Sequence, residues 1–421
     1  MLGDDVYIYT YPRRFNFKFL CASIMIPRIP PPLILKSQLM VPNKTLMGPG
    51  PSNCSQRVLD SLSNPVLGHL HPECLQIMDE IKEGIKYIFQ TLNDATMCIS
   101  GSGHAAMETA LCNLIEDGDF VLLGATGLWG HRAADMAKRY GAEVQIIEAR
   151  YGRSLSMEEI EFAFETRKPK VFFITQGDSS TGILQSNIKD IGEICRKYNS
   201  LLVVDAVASL GGTEFYMDEW KVDVVYTGSQ KVLGAPPGIS PISFSQRAMS
   251  HIKSRKTKVK VYYFDVMLVG QYWNCFGTHR IYHHTISSTL LYGLREALAQ
   301  FCAQGLKSVI RRHQESSYRL QRGLEELGLE MFVLNSFERF PTVNVIKIPV
   351  GVNWRKVCEY AIRKYFMEIS GGLGPTAEKV FRIGLMGENA TLEKVDLILN
   401  ILHEAIQSTA VNVNVNEKSK I

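Results

Sequence analysis

Short apolar runs alternate with amphipathic stretches of helical period from about residue 95 onward. The run Leu201-Leu202-Val203-Val204 is apolar on both faces, which is typical of a strand buried in a parallel sheet that helices cover. The alternation therefore predicts an α/β fold with a large, mostly parallel sheet, whose functional groups lie at the carboxyl ends of the strands. The predicted strands are 96–100, 120–125, 144–148, 171–176, 201–207 and 222–228.

The pattern changes near residue 304. Strands and helices then alternate at a spacing that predicts a compact α+β unit. Consecutive prolines between residues 27 and 32 favour an extended arm near the start. We therefore predict an N-terminal leader and arm (1–44), a large domain (45–304) and a small C-terminal domain with a mobile tail (305–421). The elements predicted around and after the boundary are helices 287–303, 323–327, 354–365 and 392–406 and strands 342–348 and 381–385.

The composition narrows the class of protein. In a chain of 421 residues, 46 Lys and Arg stand against 42 Asp and Glu without a long basic block, so nothing indicates nucleic-acid binding. No apolar run reaches the roughly 18 residues that predict a membrane span. Nine scattered cysteines without Cys-x-x-Cys spacing favour a reducing compartment. The adjacent His283 and His284 have no third ligand at useful spacing, so we predict no metal site.

Lys231 stands just beyond the carboxyl end of the apolar run 222–228. A lysine in that position could be partly desolvated, which would lower its pKa and free a neutral amine for Schiff-base chemistry. A solvated loop lysine is the alternative, and spacing alone does not decide between them.

Three further features would support a cofactor. Asp205 ends the apolar run that begins at Leu201, where a carboxylate could keep a pyridine nitrogen protonated or could simply cap a turn. The sequence Ser100-Gly-Ser-Gly-His104 lies between a strand and a helix, where small residues let backbone N–H groups approach a phosphate, although a plain tight turn also fits. Trp129 could stack on a planar ring or pack a helix start.

Seven motifs occur in a distinctive order: Gly48-Pro-Gly-Pro-Ser-Asn53, Ser100-Gly-Ser-Gly-His104, Gly177-Asp-Ser-Ser-Thr-Gly182, Val204-Asp-Ala-Val-Ala-Ser-Leu-Gly211, Tyr226-Thr-Gly-Ser-Gln-Lys231, Tyr282-His-His-Thr285 and Arg382-Ile-Gly384. Over about residues 38–408 the chain resembles the class V, fold-type I pyridoxal-phosphate aminotransferases, and most closely their alanine–glyoxylate (serine–pyruvate) branch. The resemblance implies a large domain with a seven-stranded type of sheet that binds pyridoxal 5′-phosphate.

The resemblance also implies roles for individual residues. Lys231 corresponds to the catalytic lysine that binds the cofactor and shuttles the proton, and Asp205 to the partner of the ring nitrogen. Trp129 corresponds to the stacking ring, and Ser179 to a residue near the ring hydroxyl. The remaining phosphate-side and ring contacts correspond to Ser102, Gly103, His104 and Gln230.

Two groups of residues extend the implied site. Tyr282 and Thr285 are similar to residues that reach the phosphate from a neighbouring subunit, which implies a homodimer. Arg382 corresponds to the arginine that binds the substrate carboxylate, because a planar fork binds a carboxylate at two points. The N-terminal edge of the substrate pocket corresponds to Gly50, Ser52 and Asn53.

The implied activity is transfer of the amino group of alanine or serine to glyoxylate, with small amino and 2-oxo acids as partners. A 3-hydroxykynurenine transaminase shares nearly all of these motifs and remains the alternative. A cysteine desulfurase or selenocysteine lyase would need a mobile cysteine, yet Cys358 lies within a predicted helix. A cofactor-free structural or nucleotide-binding α/β protein is disfavoured by Lys231 together with Asp205.

The final tripeptide, Ser419-Lys420-Ile421, resembles the Ser-Lys-Leu address that a peroxisomal import receptor reads. We therefore expect a peroxisomal location, with the mitochondrion or the cytosol as alternatives. Arg13 and Arg14 favour a mitochondrial leader, whereas the acidic Asp4 opposes one. Met25 is an alternative start of translation.

Overall fold

A computed structural model describes residues 29–277 and 279–409. The predicted leader, the alternative start at Met25, the tail after residue 410 and the C-terminal tripeptide lie outside the described residues. The chain divides into a first unit that ends at Asn43 and a second that begins at Lys44. In the first unit, Leu33–Lys36 form a turn of 3-10 helix with no buried residue. Within the described ranges, no helix is both long and apolar enough to cross a membrane.

The second unit contains short and long strands in roughly even alternation with helices. Its strands are β1 (Thr45–Leu46), β2 (Ala95–Ser100), β3 (Phe120–Ala125), β4 (Glu143–Glu148), β5 (Val171–Thr175), β6 (Gly177–Asp178), β7 (Ile183–Leu184), β8 (Leu201–Asp205), β9 (Val224–Tyr226), β10 (Ile239–Phe244), β11 (Val343–Lys347), β12 (Met367–Glu368), β13 (Ser370–Gly371) and β14 (Val380–Gly384). Its α-helices are α1 (Gln56–Ser61), α2 (Pro72–Phe89), α3 (Gly103–Leu114), α4 (Leu128–Arg139), α5 (Met157–Thr166), α6 (Ile188–Lys197), α7 (Gln246–Lys253), α8 (Val266–Tyr272), α9 (Ser288–Gln304), α10 (Leu306–Glu326), α11 (Trp354–Tyr365) and α12 (Leu392–Thr409).

The large sheet has seven strands in the order β2-β10-β9-β8-β5-β3-β4. Neighbouring strands are parallel except where β10 pairs antiparallel with β2 and β9. The predicted α/β fold with a mostly parallel sheet is therefore confirmed. The sequence pattern missed β10, because Pro241 lies in its middle and proline normally argues against a central strand.

Burial on both faces explains why the central strands could be recognised. Every residue of β5 and β8 is buried, as the continuous apolar runs predicted. Phe172 and Phe173 are wholly inaccessible, and burying a side chain of this kind contributes about 1.5–3 kcal/mol. The same core fixes the carboxyl ends of these strands, where the polar residues begin.

A second apolar core lies between the C-terminal helices and the sheet β11-β14-β13. Here the prediction of a helix at 323–327 was wrong in extent, because α10 begins at Leu306. The many polar residues of α10 obscure its helical pattern in the sequence, although one side of the helix, which includes Val309, His313 and Leu320, is buried. The predicted boundary near 304 falls between α9 and α10, while β1 pairs with β12 from the C-terminal part. The division into large and small domains stays a prediction.

Candidate active site

One cavity lies at the carboxyl ends of β2, β5, β8 and β9. It brings together eight of the ten residues predicted to contact a cofactor, which the sequence distributes over 130 positions. The lining residues are Ser102, Gly103, His104, Met107, Trp129, Gly177, Ser179, Asp205, Val207, Ala208, Gln230 and Lys231.

Lys231 follows β9 and points its amine at the N-terminal segment. Its Nζ donates to the carbonyl of Pro49 at 2.5 Å. Ser52 fixes the lysine loop, because its N–H donates to the Gln230 carbonyl at 2.8 Å and its hydroxyl to the Lys231 carbonyl at 2.6 Å. Burial, followed by the nearby positive charge of Arg382, lowers the pKa of Lys231 to about 8. A useful fraction of neutral amine is therefore present near pH 7.

The approach of the chain to this lysine explains one predicted glycine. Gly50 has φ +114°, in the region that favours glycine, and a Cβ there would lie 2.2 Å from Lys231 Nζ. Asn53 has a different position, because its side chain accepts from the Leu46 N–H at 2.8 Å and donates to the Lys44 carbonyl at 2.9 Å. Asn53 thus holds the turn that presents Gly50 and does not line the cavity.

Asp205 ends β8 and is only 4% exposed. Its two oxygens accept from the Val207 N–H at 2.8 Å and from the Tyr226 hydroxyl at 3.0 Å. Burial raises the pKa of Asp205 to about 6. Both donors are neutral and a carboxylate can accept more hydrogen bonds than two, so the group suits a cationic N–H donor in the cavity. Tyr226 lies in the motif that ends at Lys231, but the sequence did not reveal its contact with Asp205.

Trp129 and Ser179 are joined directly, since the indole N–H donates to the Ser179 hydroxyl at 2.9 Å. Sequence reasoning missed the residue that organises them. Asp178 is wholly buried and accepts from the Trp129 N–H at 3.3 Å and from the Ser180 N–H at 2.8 Å. It thereby fixes the start of α4 against the turn after β6. The only sequence signal for Asp178 was its position as an acidic residue beside Ser179 and Ser180, shortly after a predicted strand.

The phosphate-side turn, which is named for its predicted role and comprises residues 100–104, leads into α3. Ser102 is the N-cap of α3, and a Cβ added to Gly103 would lie 3.0 Å from Val207. The first N–H groups of a helix have no partner within that helix and favour an anion. Burial, followed by the charge of Arg132, lowers the pKa of His104. The helix start therefore faces the cavity through Ser102, Gly103 and His104.

Gln230 supplies an independent observation about what the cavity would hold. Its Oε1 is buried and has no hydrogen-bond partner among the residues described here. Such an orphaned acceptor is costly unless a ligand supplies a donor. Together with Asp205 and the helix start, it matches a ligand that has an anionic end and a protonated ring nitrogen.

Arg382 lies on β14 and is 7% exposed. Its Nε donates to the Gly371 carbonyl at 2.7 Å and its Nη1 to the Ser179 carbonyl at 3.0 Å. The remaining N–H groups of the fork can bind a carboxylate. Glu368 on β12 was not predicted, yet its negative charge raises the pKa of both Arg382 and Lys231 against the effect of burial.

Tyr282 and Thr285 are the two predicted cofactor contacts that do not line the cavity, and the predicted substrate contacts Gly50, Ser52, Asn53 and Arg382 lie outside its lining as well. They hydrogen-bond to each other through their hydroxyl oxygens at 3.2 Å, and Tyr282 is 49% exposed. Within residues 29–277 and 279–409, no cysteine lines the cavity and no cluster of three metal-ligating side chains occurs. Burial raises the pKa of Cys358 on α11 to about 11, which does not suit a cysteine nucleophile.

Comparison with known proteins agrees with this geometry. Residues 47–396 match the family model of the class-V aminotransferases. An alanine–glyoxylate aminotransferase of Drosophila melanogaster is 74% identical over 93% of this chain and 100% of its own length, and one of Rattus norvegicus is 48% identical over 91% and 92%. The crystal structure of an alanine–glyoxylate aminotransferase from Nostoc sp. has a TM-score of 0.86 and 41% identity, over 90% of this chain and 100% of that one.

Proposed function

The chain belongs to the class-V aminotransferase family, and we propose that it transfers the amino group of alanine to glyoxylate, giving pyruvate and glycine. The predicted fold type, enzyme class and pyridoxal phosphate dependence are thereby confirmed. One observation carries the choice of reaction: Lys231, whose pKa is lowered, and the buried Asp205 line one cavity, and the buried Arg382 donates to the carbonyl of Ser179, which also lines that cavity. The names of the relatives favour alanine and glyoxylate over 3-hydroxykynurenine.

Pyridoxal 5′-phosphate fits the donor set of the cavity. Ser102, Gly103 and His104 would hold the phosphate at the start of α3, where helix N–H groups favour an anion. Asp205 would accept from the ring nitrogen. Trp129 would pack against the ring, Ser179 would lie near the ring hydroxyl, and Gln230 would gain a donor for its orphaned oxygen. When bound, the cofactor supplies an electron sink for the electron pair left at the substrate α-carbon.

The side chains of this chain then have separate tasks. Lys231, as a neutral amine, accepts the proton from the α-carbon and returns it at the end of the transfer. Asp205 remains an anion and keeps the neighbouring nitrogen protonated. The free N–H groups of Arg382 bind the substrate carboxylate and so fix the α-carbon within reach of Lys231.

A panel of amino donors and acceptors tests the proposed reaction. We expect the largest kcat/KM for alanine with glyoxylate, and serine with pyruvate as a second active pair. Gly50 approaches Lys231 so closely that a Cβ there would lie 2.2 Å from Nζ, which leaves little room for a bulky side chain beside the amine, so 3-hydroxykynurenine should be at least about tenfold poorer. A higher kcat/KM for 3-hydroxykynurenine than for alanine would reverse the assignment.

Replacing Arg382 by Lys should raise KM for both the amino acid and the oxo acid about 10-fold to 100-fold, with a smaller loss of kcat. An ammonium group cannot donate to the Gly371 and Ser179 carbonyls and also grip both oxygens of a carboxylate. Steady-state kinetics for both half-reactions measure the change. Arg153→Lys is the matched control, because Arg153 makes a bidentate contact with Glu338 outside the cavity. Unchanged KM values in Arg382→Lys would remove Arg382 from the substrate site.

A homodimer is part of the proposal. Tyr282 and Thr285 resemble residues that complete a neighbouring phosphate site, and their exposed position outside the cavity supports that arrangement. The first unit also carries apolar side chains that are largely exposed: Leu33 at 76%, Ile34 at 80% and Leu35 at 78%. Exposed apolar surface of this kind favours burial against a second copy. Sedimentation of a stable monomer at micromolar concentration would contradict the homodimer.

We also propose import into peroxisomes through Ser419-Lys420-Ile421, which lies outside the described residues. The support is the similarity of the tripeptide to the receptor-read address. Cells that express the chain with an internal fluorescent tag should show peroxisomal fluorescence, and removal of the three residues should make it diffuse. An identical distribution of the two proteins would exclude this address.

A further inference from the structure

The two adjacent histidines form a hydrogen-bonded chain that ends at the phosphate-side turn. The Ser100 hydroxyl lies 2.6 Å from His284 Nε2. His284 Nδ1 lies 2.8 Å from His283 Nδ1, and His283 Nε2 lies 3.3 Å from the carbonyl of Tyr262. All four ring nitrogens therefore have a hydrogen-bond partner, and none needs a metal ion to satisfy it.

The chemistry of the groups fixes the direction of each hydrogen bond. A carbonyl can only accept, so His283 Nε2 carries a proton and, in the neutral ring, Nδ1 is the acceptor. His284 Nδ1 must then donate, which leaves its Nε2 to accept from the Ser100 hydroxyl. Burial, followed by the neighbouring His283 and His69, lowers the pKa of His284 to about 4, so its ring is neutral at physiological pH. With His283 Nδ1 as the acceptor, the pair is a directional link from Tyr262 to Ser100.

Aromatic packing holds both imidazole rings in place. Tyr262 stacks on His283 with 5.2 Å between ring centroids and 9° between planes. Tyr263 and Tyr272 pack on His284 at 5.0 Å and 5.8 Å. His283 is 8% exposed. Neither ring can turn without losing its packing contacts, so a displacement of one ring is passed on to its hydrogen-bond partner.

One end of the link lies at the proposed cofactor site. Ser100 ends β2, and Gly101 follows with φ +151°, so the position of Ser100 sets the path of the turn into α3. The pair itself is flanked in sequence by Tyr282 and Thr285. We propose that His283 and His284 are positioning residues that hold the phosphate-side turn in its binding conformation through Ser100. The inference rests on the proposed assignment of that turn to the cofactor phosphate.

Binding of pyridoxal phosphate to the apoprotein tests the inference without measuring turnover. Quenching of tryptophan fluorescence, with Trp129 in the cavity, gives the dissociation constant. We expect Ser100→Ala and His284→Phe each to weaken binding about tenfold, since each removes a hydrogen bond that orders the turn. The double variant should bind pyridoxal phosphate no more weakly than the poorer-binding single variant, because both substitutions break the same link. His284→Gln should recover most of the affinity, since an amide retains one acceptor and one donor.

Controls separate positioning from a general loss of structure. His251→Phe should bind normally, because His251 is partly buried but contacts the Leu114 carbonyl outside the cavity. Ser100→Ala is a small change that keeps the test valid even where His284→Phe folds poorly. Wild-type affinity in both Ser100→Ala and His284→Phe, or additive losses in the double variant, would overturn the inference alone. Failure of the wild-type apoprotein to bind pyridoxal phosphate would overturn the site assignment, and the inference with it.

Discussion

The Lys231→Ala protein will fold normally and yet transaminate at least about 10⁴-fold more slowly than the wild type. The substitution removes the amine that moves the α-proton, and burial has already prepared that amine by lowering its pKa to about 8. Single-turnover measurements with alanine will show the loss in the proton-transfer step. The cofactor should still bind through the phosphate-side turn and Asp205.

Two controls accompany this variant. Borohydride will fix the cofactor covalently on wild-type Lys231 but not on the Ala variant, as peptide mass mapping will show. Lys189→Ala should keep wild-type turnover within about twofold, because Lys189 is an exposed lysine paired with Glu219. Turnover near the wild-type rate in Lys231→Ala would remove Lys231 from the mechanism.

Asp205→Asn should lower kcat about 10³-fold while the cofactor-free protein becomes no less stable than the wild type. Asn has nearly the shape of Asp, and it can still accept from the Val207 N–H and donate to the Tyr226 oxygen. It cannot hold a neighbouring ring nitrogen in the protonated state. The raised pKa of Asp205 means that its ionisation opposes folding of the cofactor-free protein as the pH rises from about 4 to about 6. The Asn side chain carries no charge, so the cofactor-free variant does not lose stability in this way.

The matched comparison is Asp223→Asn. Asp223 is also wholly buried, but Arg247 pairs with it at 2.9 Å. Burial raises the pKa of Asp223 as well, but its carboxylate accepts from Arg247, the Ser245 hydroxyl and the Leu202 N–H. An Asn side chain has one acceptor oxygen and cannot satisfy all three donors, so Tm should fall, with little change in the chemistry of the surviving enzyme. Thermal unfolding of both apoproteins and single-turnover rates of both holoenzymes measure the contrast. A fall in Tm for Asp205→Asn as large as that for Asp223→Asn would show that Asp205 serves the fold more than the reaction.

The central strands could be predicted because burial on both faces leaves a continuous apolar run, as in β5 and β8. The same logic failed for β10, where Pro241 interrupts the run, and for α10, where many polar residues conceal the buried side. Lys231 and Asp205 could be proposed because each directly follows a recognisable strand. Their assignment as a pair needed the family motifs, since spacing does not reveal burial.

The parts of the site that escaped prediction depend on contacts between distant segments. Asp178 acts on Trp129 across 49 positions, and the Tyr226 hydroxyl reaches Asp205 across 21. Glu368 lies on a two-residue strand that no periodic pattern could reveal. Each of these residues owes its electrostatic effect to the dry surroundings that the fold creates, and a linear sequence does not show which surroundings are dry.

The two carbonyl contacts of Arg382 also limit how the enzyme can change its substrates. The guanidinium ties β13, through Gly371, to the turn after β6, through Ser179, so it serves as a brace between two sheets as well as the proposed carboxylate receptor. Moving it to accept a longer or bulkier acid would disconnect that brace. Evolution or engineering toward new substrates must therefore remodel the walls around a fixed arginine. If Arg382 binds the substrate as proposed, the position of the substrate carboxylate is constant in this scaffold and the opposite end of the pocket is free to vary.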